Sequence, residues 1–493
     1  MRTNGILMPV FSLPSPHGIG TFGRAAFEFV DFLHKGAQSF WQILPLNPTN
    51  FGDSPYQSFS SFAGNPYFID LELLEEEGLL KKSEIESFDF GSDCEKVDYE
   101  KLYNNRFKVL KTAFDRFNPN EEYKTFEQKN SYWLDGYALF SALKTANGNK
   151  PWHEWPYELK TAEPIAVKKA EKELSKDIAF HKFLQFEFDK QWCALKKYAN
   201  ENEIKIIGDI PIYVAFDSAD VWSDPKQFLL NDDYTPKAVA GVPPDLFSKD
   251  GQLWGNPLYD WQYMKSTDYS WWKKYMLHAL NRYDTVRIDH FRGFESFYAI
   301  PYGDTDAKGG KWIKGPNTDL FDSFKKEFGK KMPIIAEDLG IITPAVRKML
   351  KNTGFPGMKV LQFAFDGDSN NAYLPHNIER NSVIYTGTHD NDTIIGWLEN
   401  DKNSAQNAKK YLNYQSNDGF NWAMIKAAMS TVADTCIIMM SDLLGLDSKG
   451  RINTPSTLGN NWQWRIKGEC INDWLAELLK ENTVIYGRAN NNI

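Results

Sequence analysis

Three short stretches of this chain place carboxylates where they could do chemistry. In 284–293, read DTVRIDHFRG, an apolar run carries Arg287 and Asp289 two residues apart. Side chains of an extended strand alternate faces, so Arg287 and Asp289 share one face while Val286 and Ile288 share the other. In 333–340, PIIAEDLG, an apolar run ends on Glu337 just ahead of a glycine turn, and in 385–392, YTGTHDND, another runs into His389 and Asp390. An arginine beside an aspartate lowers the carboxylate pKa and keeps it ionised, which suits a nucleophile. An isolated Arg-x-Asp arises about once by chance in a chain of this size, and a lone Glu before a glycine reads equally well as a helix cap or a surface carboxylate. Three strand ends converging on one mouth with an Asp, a Glu and an Asp carry more weight than any one of them.

A nucleophilic carboxylate and an acid/base carboxylate about 5 to 5.5 Å apart can break a glycosidic bond with retention. Asp289 would attack the anomeric carbon, and Glu337 would protonate the leaving oxygen, then take the proton of the incoming hydroxyl. Glu337 must then stay protonated near neutral pH, so its pKa is expected to be raised by nearby negative charge and partial burial. Asp390 would hold sugar hydroxyls, with His389 as a hydrogen-bond partner. His389, Asp390 and Asp392 together leave a metal-dependent hydrolase open, although catalytic zinc usually wants more histidines and hard cations more converging oxygens.

The elements that must position these groups alternate. Helical patterns at 167–200, 271–283, 318–328, 344–351 and 421–432 are interleaved with apolar runs at 204–210, 285–288, 333–336, 358–365, 382–386 and 435–440. Two more strands, 5–9 and 39–44, flank a helical pattern at 23–35. Eight such repeats predict a single α/β domain over 1–493, a (β/α)8 TIM barrel with catalytic groups at the C-terminal strand ends. The gap 45–203 exceeds any ordinary connection and predicts an inserted, mainly helical subdomain; 211–270, rich in Pro, Asp, Trp and Gly, predicts an inserted loop subdomain over the mouth.

The 493 residues are 42% hydrophobic and carry a net charge of −9, without a basic block. That excludes electrostatic capture of nucleic acid or an anionic membrane surface. No stretch approaches the roughly 20 apolar residues of a membrane span, and 1–10 is too short for a signal core, so the expected location is cytoplasmic. Cys94, Cys193, Cys436 and Cys470 are scattered and read as free thiols. Aromatic residues make up 15% of the chain, several in Gly/Pro-rich loops where packing explains them poorly and where sugar faces could stack.

The segments GDIPIYVAFDSADVW (208–222), VRIDHFRGF (286–294), IIAEDLG (334–340) and YTGTHDND (385–392) resemble, in order, the motifs of the 4-α-glucanotransferases. These enzymes are also called amylomaltases or disproportionating enzymes, of the α-amylase clan. DSPYQSFSSFAGNP (53–66), GVPPDLFSKDGQLWGNP (241–257) and NTPSTLGNNWQWR (453–465) extend the likeness over nearly the whole chain. The resemblance implies Asp289 as nucleophile, Glu337 as acid/base and Asp390 as transition-state stabiliser, with Arg287 and His389 supporting the reacting ring. It further implies an orienting role for Asp209 and glucan contacts from Ser54, Tyr56, Asp245, Trp254, Phe363 and Asn460. It also implies an α-1,4-glucan donor with a glucose or maltooligosaccharide acceptor, no cofactor, no obligate protein partner and no separate C-terminal β-domain.

The carboxylates alone do not separate transfer from hydrolysis, nor from a barrel that binds glycans without turnover. Transfer needs a prebound acceptor and the exclusion of water. The segment 241–257 has the parts of a lid: glycines and prolines to shape it, and Phe247, Leu253 and Trp254 as apolar surface.

Overall fold

Short, mainly apolar runs between amphipathic helices are largely buried, which is the demand a parallel sheet makes of its strands. The computed structural model describes residues 2–244, 249–415 and 419–489. Among the described residues twelve strands form in chain order: β1 Thr3–Leu7, β2 Phe40–Gln42, β3 Lys205–Ile210, β4 Ala238–Val242, β5 Gln252–Pro257, β6 Thr285–Ile288, β7 Ser296–Pro301, β8 Lys311–Lys314, β9 Ile334–Ala336, β10 Gly357–Val360, β11 Ser382–Tyr385 and β12 Thr435–Met439. Eight of them close a parallel barrel in the order β1-β12-β11-β10-β9-β6-β3-β2, a (β/α)8 fold. Outward-facing residues such as Val286 and Ile288 are fully buried beneath the helices.

Helix Arg24–Lys35 follows β1, and Asp473–Ile485 lies against it, close to where the barrel closes. Between β2 and β3 the chain is chiefly helical, with Tyr99–Phe114, Glu121–Ala146 and Ser175–Glu201 the longest helices. Asn120 caps the second of these by accepting from Tyr123 N–H at 2.8 Å. Ser175–Glu201 packs on both Glu121–Ala146 and β3, so it also serves as the crossover helix into the third barrel strand. Beyond Met439 the described residues form helices and turns, with no further strand.

Two expectations need correction. The run 358–365 is not one strand: β10 ends at Val360, and Leu361–Phe363 forms a helical turn that sends the buried Gln362 amide to the Asp392 carbonyl at 2.8 Å. The stretch 211–270 is not loop throughout. It contributes helices Ala219–Ser223 and Trp261–Ser266 and the antiparallel pair β4–β5, part of a second sheet in the order β5-β4-β7-β8. Glycine and proline in β5 and lysines in β8 hide this sheet from a reading based on apolar runs.

Candidate active site

Strand register brings the carboxylates together. Asp209 on β3 pairs with Arg287 on β6, and Ile288 pairs with Ala336 on β9, so Asp289 and Glu337 leave neighbouring strands abreast at the C-terminal mouth. Adjacent strands run about 4.8 Å apart. The ladder continues through this point, with Glu337 N–H donating to the Ile288 carbonyl at 3.1 Å and Phe291 N–H to the Glu337 carbonyl at 3.0 Å. Gly208, beside Asp209, is required by close approach: a Cβ there would meet the Tyr283 ring at 2.2 Å.

Buried Arg287 bridges two acids, donating from Nη1 to Asp209 Oδ2 at 2.5 Å and from Nη2 to Asp289 Oδ1 at 3.0 Å. The Tyr56 hydroxyl donates to the same Asp209 oxygen at 2.8 Å. Asp209 is thus a hidden orienting group that locks Arg287 and Tyr56. Both Glu337 oxygens are fixed by backbone: Oε2 accepts from His290 N–H and Oε1 from Leu339 N–H, each at 2.7 Å. His290 sits at φ +50°, and this left-handed residue aims the first of those N–H groups.

Burial pushes the Glu337 carboxyl up to about 8; the charge of Asp289 adds to the rise, while Arg287 and the two N–H groups oppose it. Asp289 is also pushed up by burial, to about 6, against the pull of Arg287. With 31% of its side chain open to the mouth, Asp289 is the readier of the two to ionise. The sequence suggested that Arg287 would hold Asp289 below its ordinary range; the cost of burying the charge outweighs that pull.

His389 and Asp390 follow β11. His389 is buried and stacks on Tyr56, centroids 5.0 Å apart, with its Nε2 3.4 Å from Asp390 Oδ2. Asn453 Nδ2 donates to Asp390 Oδ1 at 2.6 Å and Arg451 to the Asp390 carbonyl at 2.9 Å. Asp392 turns away instead: its oxygens accept from Thr393 N–H, Asn400 and Ser448, tying down the helix Ile394–Asn400. Among the described residues no three His, Cys, Asp or Glu side chains form a metal-ligand set.

The remaining expected residues are placed unevenly. Ser54 Oγ accepts from Tyr56 N–H at 3.3 Å and so shapes the turn presenting that tyrosine. Trp254 meets His290 edge to face at 4.9 Å, beside the amide that holds Glu337. Gln57 donates to the Trp254 carbonyl at 3.2 Å and to Asn256 Oδ1 at 3.1 Å, pinning β5 to the loop after β2. Phe363 lies in the turn after β10, edge to face with Tyr373. Asn460 is exposed at φ +57°. Asp245, with Phe247 of the expected lid, lies outside the described residues.

The residues that sequence reasoning missed are Asn453, Arg451 and Trp462, the last packing against both Tyr56 and His389. They come from the loop after the eighth barrel strand, and only its overall likeness to family motifs marked it.

A parallel barrel whose strand ends gather an Arg-bridged Asp, a buried Glu and a further Asp defines a carboxylate-bearing (β/α)8 enzyme scaffold. The model of the 4-alpha-glucanotransferase family matches residues 8–471. The 4-alpha-glucanotransferase of Clostridium butyricum is 50% identical over 98% of this chain and all of its own length. That of Streptococcus pneumoniae is 45% identical over 100% of this chain and 98% of its own. The amylomaltase from Streptococcus agalactiae, solved in complex with acarbose, superposes with a TM-score of 0.97 at 43% identity, covering 99% of this chain and 100% of that one. The chain belongs to the 4-alpha-glucanotransferase family and is a glycosyltransferase enzyme.

Proposed function

We propose that the chain moves a segment of an α-1,4-glucan to the 4-hydroxyl of an acceptor sugar by a retaining double displacement. The observation that carries this reading is the pair of unlike carboxyls abreast just past β6 and β9, one with a pKa of about 6 and one of about 8. Near neutral pH that pair holds an ionised Asp289 and a protonated Glu337. Asp289 attacks the anomeric carbon, forming an ester; Glu337 gives its proton to the departing glycosidic oxygen. The acceptor 4-hydroxyl then attacks the same carbon, Glu337 takes its proton, and Asp289 leaves as carboxylate. Asp390, held by Asn453, binds hydroxyls of the sugar passing through the oxocarbenium-like state.

Glucan as substrate is supported by the acarbose complex of the amylomaltase and by the exposed or half-buried aromatics around the mouth. Preference for a sugar acceptor over water is supported by the way Gln57 ties β5 and Trp254 down beside His290. Among the described residues no helix is long and apolar enough to cross a membrane.

Incubation with maltotriose tests the reading. Glucose together with chains longer than the substrate is the expected product ladder. Shortening alone would mark a hydrolase, and no turnover would mark a glycan-binding barrel.

A further inference from the structure

One aromatic side chain beside the mouth is neither buried nor loose. Trp312 stands on β8, an edge strand whose four residues are all exposed. It keeps 40% of its surface in water. The Arg292 guanidinium lies 3.7 Å from its ring centroid, and Tyr298 meets it at 60° and 5.1 Å. Arg292 is itself buried and anchored, donating from Nη1 to the Ile341 carbonyl at 2.7 Å and from Nη2 to Ser296 Oγ at 3.3 Å.

These contacts clamp the indole to both carboxylate loops. Arg292 follows closely after Asp289, and Ile341 follows closely after Glu337. The same stretch is packed on its inner side by rings: Trp254 meets His290, Tyr213 lies 6.2 Å from Trp254, and the Tyr213 hydroxyl lies beside Gly293, the chain neighbour of Arg292. Packing alone does not account for this placement. Tyr298 is already buried and bonded to the Ala307 carbonyl, and an edge strand otherwise favours charge over a large exposed ring.

We propose that Trp312, braced by Arg292, is an outer subsite for the acceptor glucan and for the leaving segment of the donor. The proposal rests on the glucan-transfer reading. The acid/base carboxyl stands on the side of the departing sugar, which the acceptor later replaces. In an α-1,4 chain that sugar meets the reacting centre through its O4, and the rest of its chain runs outward toward the reducing end. Trp312 is tied to that side through Arg292, which binds the Ile341 carbonyl in the loop that follows Glu337. With one ring face covered by a cation and an edge by tyrosine, the other face is held ready to stack on a glucose ring without an ordering cost.

The test measures initial transfer from maltotriose to labelled glucose, maltose, maltotetraose and maltohexaose, with unfolding midpoints recorded alongside. Trp312→Ala is expected to raise KM for maltohexaose roughly three- to tenfold, the size of one aromatic contact, with kcat changed by less than about twofold. The rise shrinks as the acceptor shortens, and Trp312→Phe recovers most of it. Trp312→Lys, suited to an exposed edge strand, gives the same readout if the alanine variant folds poorly. An unchanged KM for maltohexaose, or an equal rise for glucose and maltohexaose, overturns the proposal. Failure of the unmodified enzyme to lengthen maltotriose overturns the underlying reading instead.

Discussion

Glu337 accepts two backbone hydrogen bonds and feels Arg287, all of which favour its charged form, yet burial and Asp289 keep its proton on. Below about 6 Asp289 gains a proton and ceases to be a nucleophile; above about 8 Glu337 loses the proton the leaving oxygen needs. A plot of kcat/KM against pH is therefore expected to be bell-shaped, with limbs near those two values belonging to the coupled pair. A profile flat well past the upper value contradicts the assignment of Glu337. Asn453 offers a second test. Its amide meets Asp390 Oδ1 at 2.6 Å, a bond to a carboxylate of the kind worth about 1.5–3 kcal/mol. Asn453→Ala is expected to cost roughly tenfold or more in kcat/KM while the protein stays folded; steady-state kinetics within about twofold of the unmodified enzyme would remove Asn453 from the site.

At the scale of elements, what matters is register, since a slip of one residue would turn Asp289 away from the mouth. Gly208 protects that register where β3 meets the Tyr283 ring. Gly208→Ala is expected to destabilise the fold by about 1–3 kcal/mol and to disturb Asp209. Denaturant unfolding checks it, and unchanged stability would show that the contact relaxes freely. The barrel strands were legible as short, mainly apolar runs between helical patterns, and β6 spans 285–288 as its sequence suggests. The second sheet was not, because KWIK in β8 and QLWGNP in β5 carry no alternation a reader would take for a strand. Asp289 and Glu337 could be picked out because each follows an apolar run; Asn453, Trp462 and the left-handed His290 depend on loop geometry that local pattern does not encode.

At the scale of the molecule, the long insertions and the antiparallel sheet are hung on βα connections, so the barrel fixes the carboxylates while added elements shape what reaches them. The acidic net charge fits a neutral polymer as substrate, since sugar chains need stacking and hydrogen bonds rather than a basic surface. In the proposed mechanism the glucan passes through an ester with Asp289 that is released to sugar more readily than to water. An α-maltosyl fluoride donor needs little acid assistance to form that ester, while Glu337→Gln removes the base that discharges it. Peptide mapping by mass spectrometry after this reaction is predicted to find a maltosyl adduct on the peptide holding Asp289, lost when Asp289 is also replaced by Asn. An adduct on another residue, or the same adduct surviving that replacement, would contradict the account.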